Sequence, residues 1–264
     1  MIGAIGALRR RQVSAAAPGP PWRLRGVPVC ASTEILLDRW LADAPDLAGD
    51  RALPSPLAVI ARRQRHGHGQ RGRPWSSPPG GVWLSAALPW PAQAGQAASL
   101  ALAVAVGLCL RLEHRGLPVR IKWPNDLVLP VEAGGEGRVL KLAGLLPRLR
   151  LRGGACRWAR IGVGLNVANP VPPGAVALAT LLGRGRAEPL HWCGEVLASL
   201  DWAMAWAGSR EAVRGQAERR LLLPAGPIRL EGEEWQPAGL TADGGLRLVH
   251  GTRDRVLQRE FGAG

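Results

Sequence analysis

The chain has 264 residues, 47% of them hydrophobic, with a formal charge of +14, eleven Trp, one Phe and no Tyr. It is long enough for one large domain with a small appendage, and too apolar to remain disordered. The four Cys, at 30, 109, 156 and 193, form no C-x-x-C pair, which argues against a disulfide framework or zinc ribbon and for a reducing cytoplasm.

Residues 1–21 end in APGPP and read as a flexible lead-in. The first 33 residues carry Arg9, Arg10, Arg11, Arg23 and Arg25 and no acid until Glu34. That composition is shared by organellar transit peptides and, more commonly, by frayed basic N-termini. Ser32 can cap a helix through TEILLDRWLADA, with an apolar side of Ile35, Leu36, Leu37, Trp40 and Leu41. PLAVIARRQ reads as a buried strand and GVWLSAAL as another. Residues 93–114 read as a long apolar helix whose most apolar run, 97–110, falls short of the about 20 residues a bilayer needs. VRIKW and LVLPV flank the turn Pro124-Asn125-Asp126, and strands follow over 139–151 and in RWARIGVGLNVA. A helix is expected over 190–206, with an extension to 220. After LLPAGP come the short strands IRLEGEEW, QPAGLTA, GLRLVHG and RVLQREF, with a hairpin signal at Asp243-Gly244. They suggest a small β-barrel-like unit over 221–264.

Four motifs carry chemistry. RRQRHGHGQRGRPWSSPPGG follows a strand, where backbone N–H groups can converge on an anion and glycines let the main chain approach closely. The competing reading is a solvated loop, and the two stand about even. No G-K-[ST] follows, so it is not a P-loop, and His66-x-His68 is weak as a metal pair. In IKWPNDLVL a plain turn accounts for Pro-Asn-Asp but less well for Lys122 and Trp123 before it. KLAGLLPRL sets Lys141 at the mouth of an aliphatic strand, either to meet a carboxylate or phosphate or to snorkel to water. Gly162 and Gly164 interrupt a buried strand before Asn166, which weakens pairing unless something lies close.

Together CASTEIL, QRHGHGQRGRPWSSPPGG, IKWPNDL, KLAGLL and IGVGLN resemble the biotin–protein ligase family over roughly residues 28–170, and GLTADGGLRL resembles its small C-terminal domain. The resemblance implies an α+β fold, similar to class II aminoacyl-tRNA synthetases, with a mixed sheet and helices packed on one face. It implies a catalytic domain over 22–220 and an SH3-like barrel after it. The implied activity is formation of biotinyl-5′-AMP from biotin and ATP with Mg²⁺. Transfer follows to a lysine of the biotin carboxyl carrier protein of acetyl-CoA carboxylase, in the cytoplasm, by a monomer or homodimer.

The implied biotin contacts are Ser32, Thr33, Gln64, His68, Gly69, Gln70, Trp75, Lys141 and Gly144. Arg71, Arg73, Trp75, Lys122, Asn125, Asp126 and Asn166 would face ATP and the adenylate, with Asp126 toward Mg²⁺. Lys141, Arg71 and Lys122 would act in catalysis. Three departures from the family pattern stand out. His68 and Gln70 occupy positions where relatives place Arg, so retention of the adenylate falls to Arg71 or Arg65 or is leakier. Glu34 stands where the family often has Asn, and the terminal G-[ED]-[VI]-S-L-R is absent. Only some 27 residues precede the resemblance, with no helix pair, so no DNA-reading module and no specific DNA binding are expected. The alternatives are a lipoate ligase or lipoyl transferase of the same fold, disfavoured by the Gly-Arg loop with KWPND and KLAG, and a basic nucleic-acid-binding protein. Against the latter, the arginines are spread along the chain without an aromatic-interleaved stripe.

Overall fold

A computed structural model describes residues 2–12, 21–43, 53–91, 97–131, 138–224 and 226–258. The first element, α1 (Ile2–Gln12), replaces part of the expected lead-in. An isolated 11-residue helix is marginal in water; here tertiary contacts hold it. Ile5 is fully buried, and Arg9 Nη2 donates to Asp201 Oδ1 at 2.8 Å. Trp22 Nε1 donates to the same oxygen at 2.9 Å. Next comes β1 (Arg23–Cys30), which the sequence reading left without an element. It is an edge strand paired parallel to β2, so its Arg-, Gly- and Pro-containing pattern lacks the strong apolar alternation of a central strand.

The other elements run α2 (Thr33–Asp43), β2 (Leu57–Gln64), β3 (Val82–Leu88), α3 (Ala97–Glu113), β4 (Arg120–Lys122) and β5 (Asp126–Pro130). Then follow β6 (Val139–Arg152), β7 (Ala155–Leu165), a short α4 (Leu178–Leu182), α5 (Pro189–Trp206), α6 (Arg210–Glu218) and β8 (Leu221–Leu222). The expected helical extension beyond 206 is the separate α6, which restarts after Gly208 with Ser209 at its N-cap position. The start of the long apolar helix at 93 lies outside the described residues.

Eight strands form one mixed sheet in the order β1-β2-β3-β7-β6-β5-β4-β8. Its two faces differ. Ala58, Ile60, Leu84, Ala86, Val163 and Leu165 join α3, α5 and Ile5 of α1 in the main core. The alternate residues Leu57, Val59 and Ala87 meet Leu37 and Trp40 of α2 in a smaller cluster. So the helices expected on one face do pack there, while α2 covers part of the other.

The tail strands are β9 (Ile228–Leu230), β10 (Glu233–Leu240), β11 (Leu246–His250) and β12 (Arg253–Leu257). IRLEGEEW, expected as one strand, is a hairpin turning at Glu231 and Gly232, with φ of 53° and 86°. Two successive positive φ values suit the right-handed twist of a two-residue hairpin. Where a barrel was expected, the described strands form an antiparallel meander, β12-β11-β10-β9. It curls enough for Arg253 to reach Glu233 at 2.7 Å and Arg255 to reach Glu231 at 2.8 Å. Trp235, Leu240, Leu246 and Leu248 share the main core with α3. Trp123 Nε1 also donates to Gly244 O at 2.9 Å, tying the KWPND turn to the tail hairpin.

Candidate functional site

A cavity of about 330 Å³ opens on the face of the sheet opposite α3 and α5, between the α2 N-terminus, β3, β7, β6 and the loop after β2. That size sits at the lower end of the roughly 300–1,000 Å³ typical of small-molecule pockets.

One wall is neutral and polar. Thr33 N and Thr33 Oγ1 both donate to Gln64 Oε1, at 2.8 and 3.0 Å. Thr33 Oγ1 also lies 2.8 Å from Ser85 Oγ, and Gln64 Nε2 donates to Ser77 Oγ at 2.9 Å. Ser32, which is buried, accepts from Glu34 N at 3.2 Å and so caps the start of α2. Ser85 was not anticipated, although a lone polar residue in VWLSAAL was a usable signal.

The floor is glycine. Gly144 and Gly164 sit opposite each other across the β6–β7 ladder, and the Trp75 indole lies over both. A Cβ at Gly144 would come within 2.8 Å of the ring, and one at Gly164 within 2.6 Å. This is the close approach that interrupting glycines signal. Trp75 Nε1 is buried without a hydrogen-bond partner.

Lys141 reaches this face because of a bulge. Leu127 pairs with Ala143 but the next residue, Val128, pairs with Lys141, leaving Leu142 as an extra residue in β6. The extra residue shifts the alternation. Leu142 and Ala143 are both buried in the core, while Lys141 and Gly144 both line the cavity. Lys141 Nζ lies 2.7 Å from Asp126 Oδ1 and 4.9 Å from the centre of the Trp75 ring. Asn125 spends its side-chain N–H on Leu145 O, while its own carbonyl accepts from Leu145 N at 2.9 Å. Asn166 is buried, with Oδ1 accepting from Asn169 Nδ2 at 3.1 Å; Asn169 is an orienting residue the sequence did not mark.

The loop closes the remaining side. Trp75 N donates to Gly67 O and Gly69 N to Arg73 O, each at 2.8 Å. A Cβ at Gly67 would meet Trp75 O and Ser77 Oγ at 2.6 Å, so these limbs can touch only with glycine there. At the tip Arg71 and Gly72 have φ of 56° and 69°. His68, Gly69, Gln70 and Arg73 line the cavity. His68 Nε2 lies 2.6 Å from Glu34 Oε2, a contact between two of the positions that depart from the family pattern.

Thirteen of the fifteen anticipated site residues therefore border one cavity. Two are not among its lining. Arg71 is exposed at the loop tip, and Lys122 is exposed on β4, paired in register with Asp126. Cysteine chemistry is absent from this cavity's lining. Burial pushes the Cys109 and Cys193 thiols up to about 12 and Cys156 to about 11. Cys30 is raised for the same reason.

The site thus joins a mixed sheet, a lysine-bearing, glycine-floored pocket and a basic loop. Residues 47–166 match the Biotin/lipoate A/B protein ligase family. Among relatives, it is 39% identical over 120 residues to the Bifunctional ligase/repressor BirA of Escherichia coli, covering 44% of this chain and 34% of that protein. To the Biotin--[acetyl-CoA-carboxylase] ligase of Paracoccus denitrificans it is 36% identical over 144 residues, covering 50% of this chain and 51% of that one. The chain thus spans a third to a half of the length of these two relatives. The biotin protein ligase from Aquifex aeolicus, solved with biotin and ATP, has the same fold, with a TM-score of 0.66 at 21% identity over 89% of this chain and 95% of that one.

Proposed function

We propose that the chain activates biotin with ATP and transfers it to a lysine of a biotin carboxyl carrier protein, as in acetyl-CoA carboxylase, in the cytoplasm. The observation that carries this reading is the order of chemistry along one cavity. Thr33, Gln64 and Ser85 offer neutral donors and acceptors suited to a ureido ring. Trp75 over the glycine floor walls an apolar middle. Lys141 stands at the other end of the cavity, two strands over from Ser85 and five residues along β6 from Leu146, which shares Ser85's register, where a carboxylate at the end of an acyl chain would sit.

Each step then has a chemical rationale. A biotin carboxylate oxygen attacks the α-phosphorus of ATP while the bond to pyrophosphate breaks. Lys141 supports the charge on both reacting groups, in a pocket that excludes bulk water. Arg73, with Arg71 and Lys122 from outside the lining, contributes positive charge to the phosphates. The carrier lysine nitrogen next attacks the acyl carbon, AMP leaves with the bridging oxygen, and the amine loses a proton. No protein nucleophile is required.

Among the described residues no three His, Cys, Asp or Glu gather as a metal site. Asp126 would offer Mg²⁺ a single carboxylate ligand. Mg²⁺ supplies charge neutralisation at the phosphates.

A dithiolane ring would leave the Thr33–Gln64–Ser85 set without a partner in the ligand, which favours biotin over lipoate. Purified protein incubated with ATP and either acid should form adenylate, and label a carrier domain, with biotin. Adenylate from lipoate but not from biotin would overturn the reading.

A further inference from the structure

The loop between β2 and β3 is fastened in two different ways. Main-chain hydrogen bonds join its two limbs, from Trp75 N to Gly67 O at 2.8 Å and from Gln64 N to Ser77 O at 3.0 Å, and tie the base of the outgoing limb to the segment before α2, from Arg65 N to Cys30 O at 2.9 Å and from His66 N to Ala31 O at 2.8 Å. Its outgoing limb reaches α2 through a side chain, with His68 Nε2 2.6 Å from Glu34 Oε2. The Glu34 side chain is only 8% exposed. Its other cations stand further off, Arg160 Nε at 3.7 Å and Arg148 Nη2 at 4.0 Å. Arg160 is shared with Asp38, and Glu34 Oε1 has no hydrogen-bond partner. A buried carboxylate depends on close donors, and of these three groups the imidazole is the nearest. When the loop lifts, Glu34 keeps only the longer contacts. The buried carboxylate, itself part of the cavity lining, therefore opposes opening.

We propose that Glu34 is a positioning residue that, through His68, holds the outgoing limb of the loop over the cavity and sets how fast the cavity exchanges its ligand. The identity of that ligand rests on the biotin-ligase reading; the latch itself does not. Two measurements separate them. The first is amide hydrogen exchange at Gly69 and Trp75 in the ligand-free protein, and the second is the dissociation rate of biotinyl-5′-AMP. His68→Ala and Glu34→Gln should each raise both rates about tenfold, and the double variant should raise them no further, because residues in one contact are not additive. His68→Arg, which keeps a cationic donor facing Glu34, should return both toward the parent values. About hundredfold acceleration in the double variant, no change in His68→Ala, or failure of His68→Arg to rescue would each overturn the proposal. If Glu34→Gln does not fold, the contrast of His68→Ala with His68→Arg decides alone, since His68 lies in a loop. Coupled loop exchange in a parent protein that makes no biotin adenylate would reject the biotin reading and keep the latch. Adenylate chemistry without coupled exchange would reject the latch and keep the reading.

Discussion

The two faces of β6 and β7 do different work with the same backbone. On one, Ala143, Leu145, Val163 and Leu165 are buried against helices. On the other, Gly144, Gly162 and Gly164 leave a shallow floor on which Trp75 rests beside Lys141. Because side chains alternate along a strand, one face can be packed for stability while the next residue is spent on binding. The difference shows that the site borrows rigidity from the core beneath it, which it touches through Leu84, Leu145 and Val163. Its lysine owes its place to the bulge at Leu142, a departure from strict alternation.

Substitutions on the two faces should separate activity from stability. The largest expected effect is that of Lys141→Ala, which should slow biotin adenylate formation by about 10²–10³-fold, with thermal unfolding left near the parent's. A variant that adenylates at the parent rate would remove Lys141 from the mechanism. Leu165→Ala, one strand position from the floor glycine Gly164 and outside the cavity lining, should do the reverse. It should lose about 2–5 kcal/mol in denaturant unfolding while each folded molecule keeps its turnover. A smaller effect on both axes is expected of Gly164→Ala, whose Cβ would meet Trp75 at 2.6 Å. Overpacking should cost about 1–3 kcal/mol and raise the KM for biotin; an unchanged KM would mean that the indole position does not matter to the ligand. Together these three variants would either sharpen the division between faces or erase it.

Much of the catalytic sheet was legible because its signals are local. IKWPNDL, KLAGLL and IGVGLN announce strands and turns by composition, and 13 of the 15 anticipated residues do line the cavity. What escaped depends on distant partners. β1 is polar because it forms an edge, and α1 is stable because Asp201, far along the chain, accepts from Arg9 and Trp22. The Glu231-Gly232 turn hid inside IRLEGEEW because a Glu at φ 53° is not a residue that advertises a hairpin. His68 and Glu34 each stood out as a departure, but thirty-four positions of chain separate them, and nothing in the sequence says that they touch. Lys122 failed to join the lining because the β4–β5 hairpin carries it out to solvent, opposite Asp126.

The pairing of Lys141 with Asp126 has a consequence for what the cavity will accept. The lysine's charge is matched by Asp126 at 2.7 Å. An anion that draws Lys141 away strands a carboxylate, and so meets an opposing charge as soon as it succeeds. An anion that arrives with its own counter-cation meets no such penalty, since the two pairs can trade partners. On the proposed reading, the pair makes the site an electrostatic filter that favours an anion bringing its own cation over a bare one.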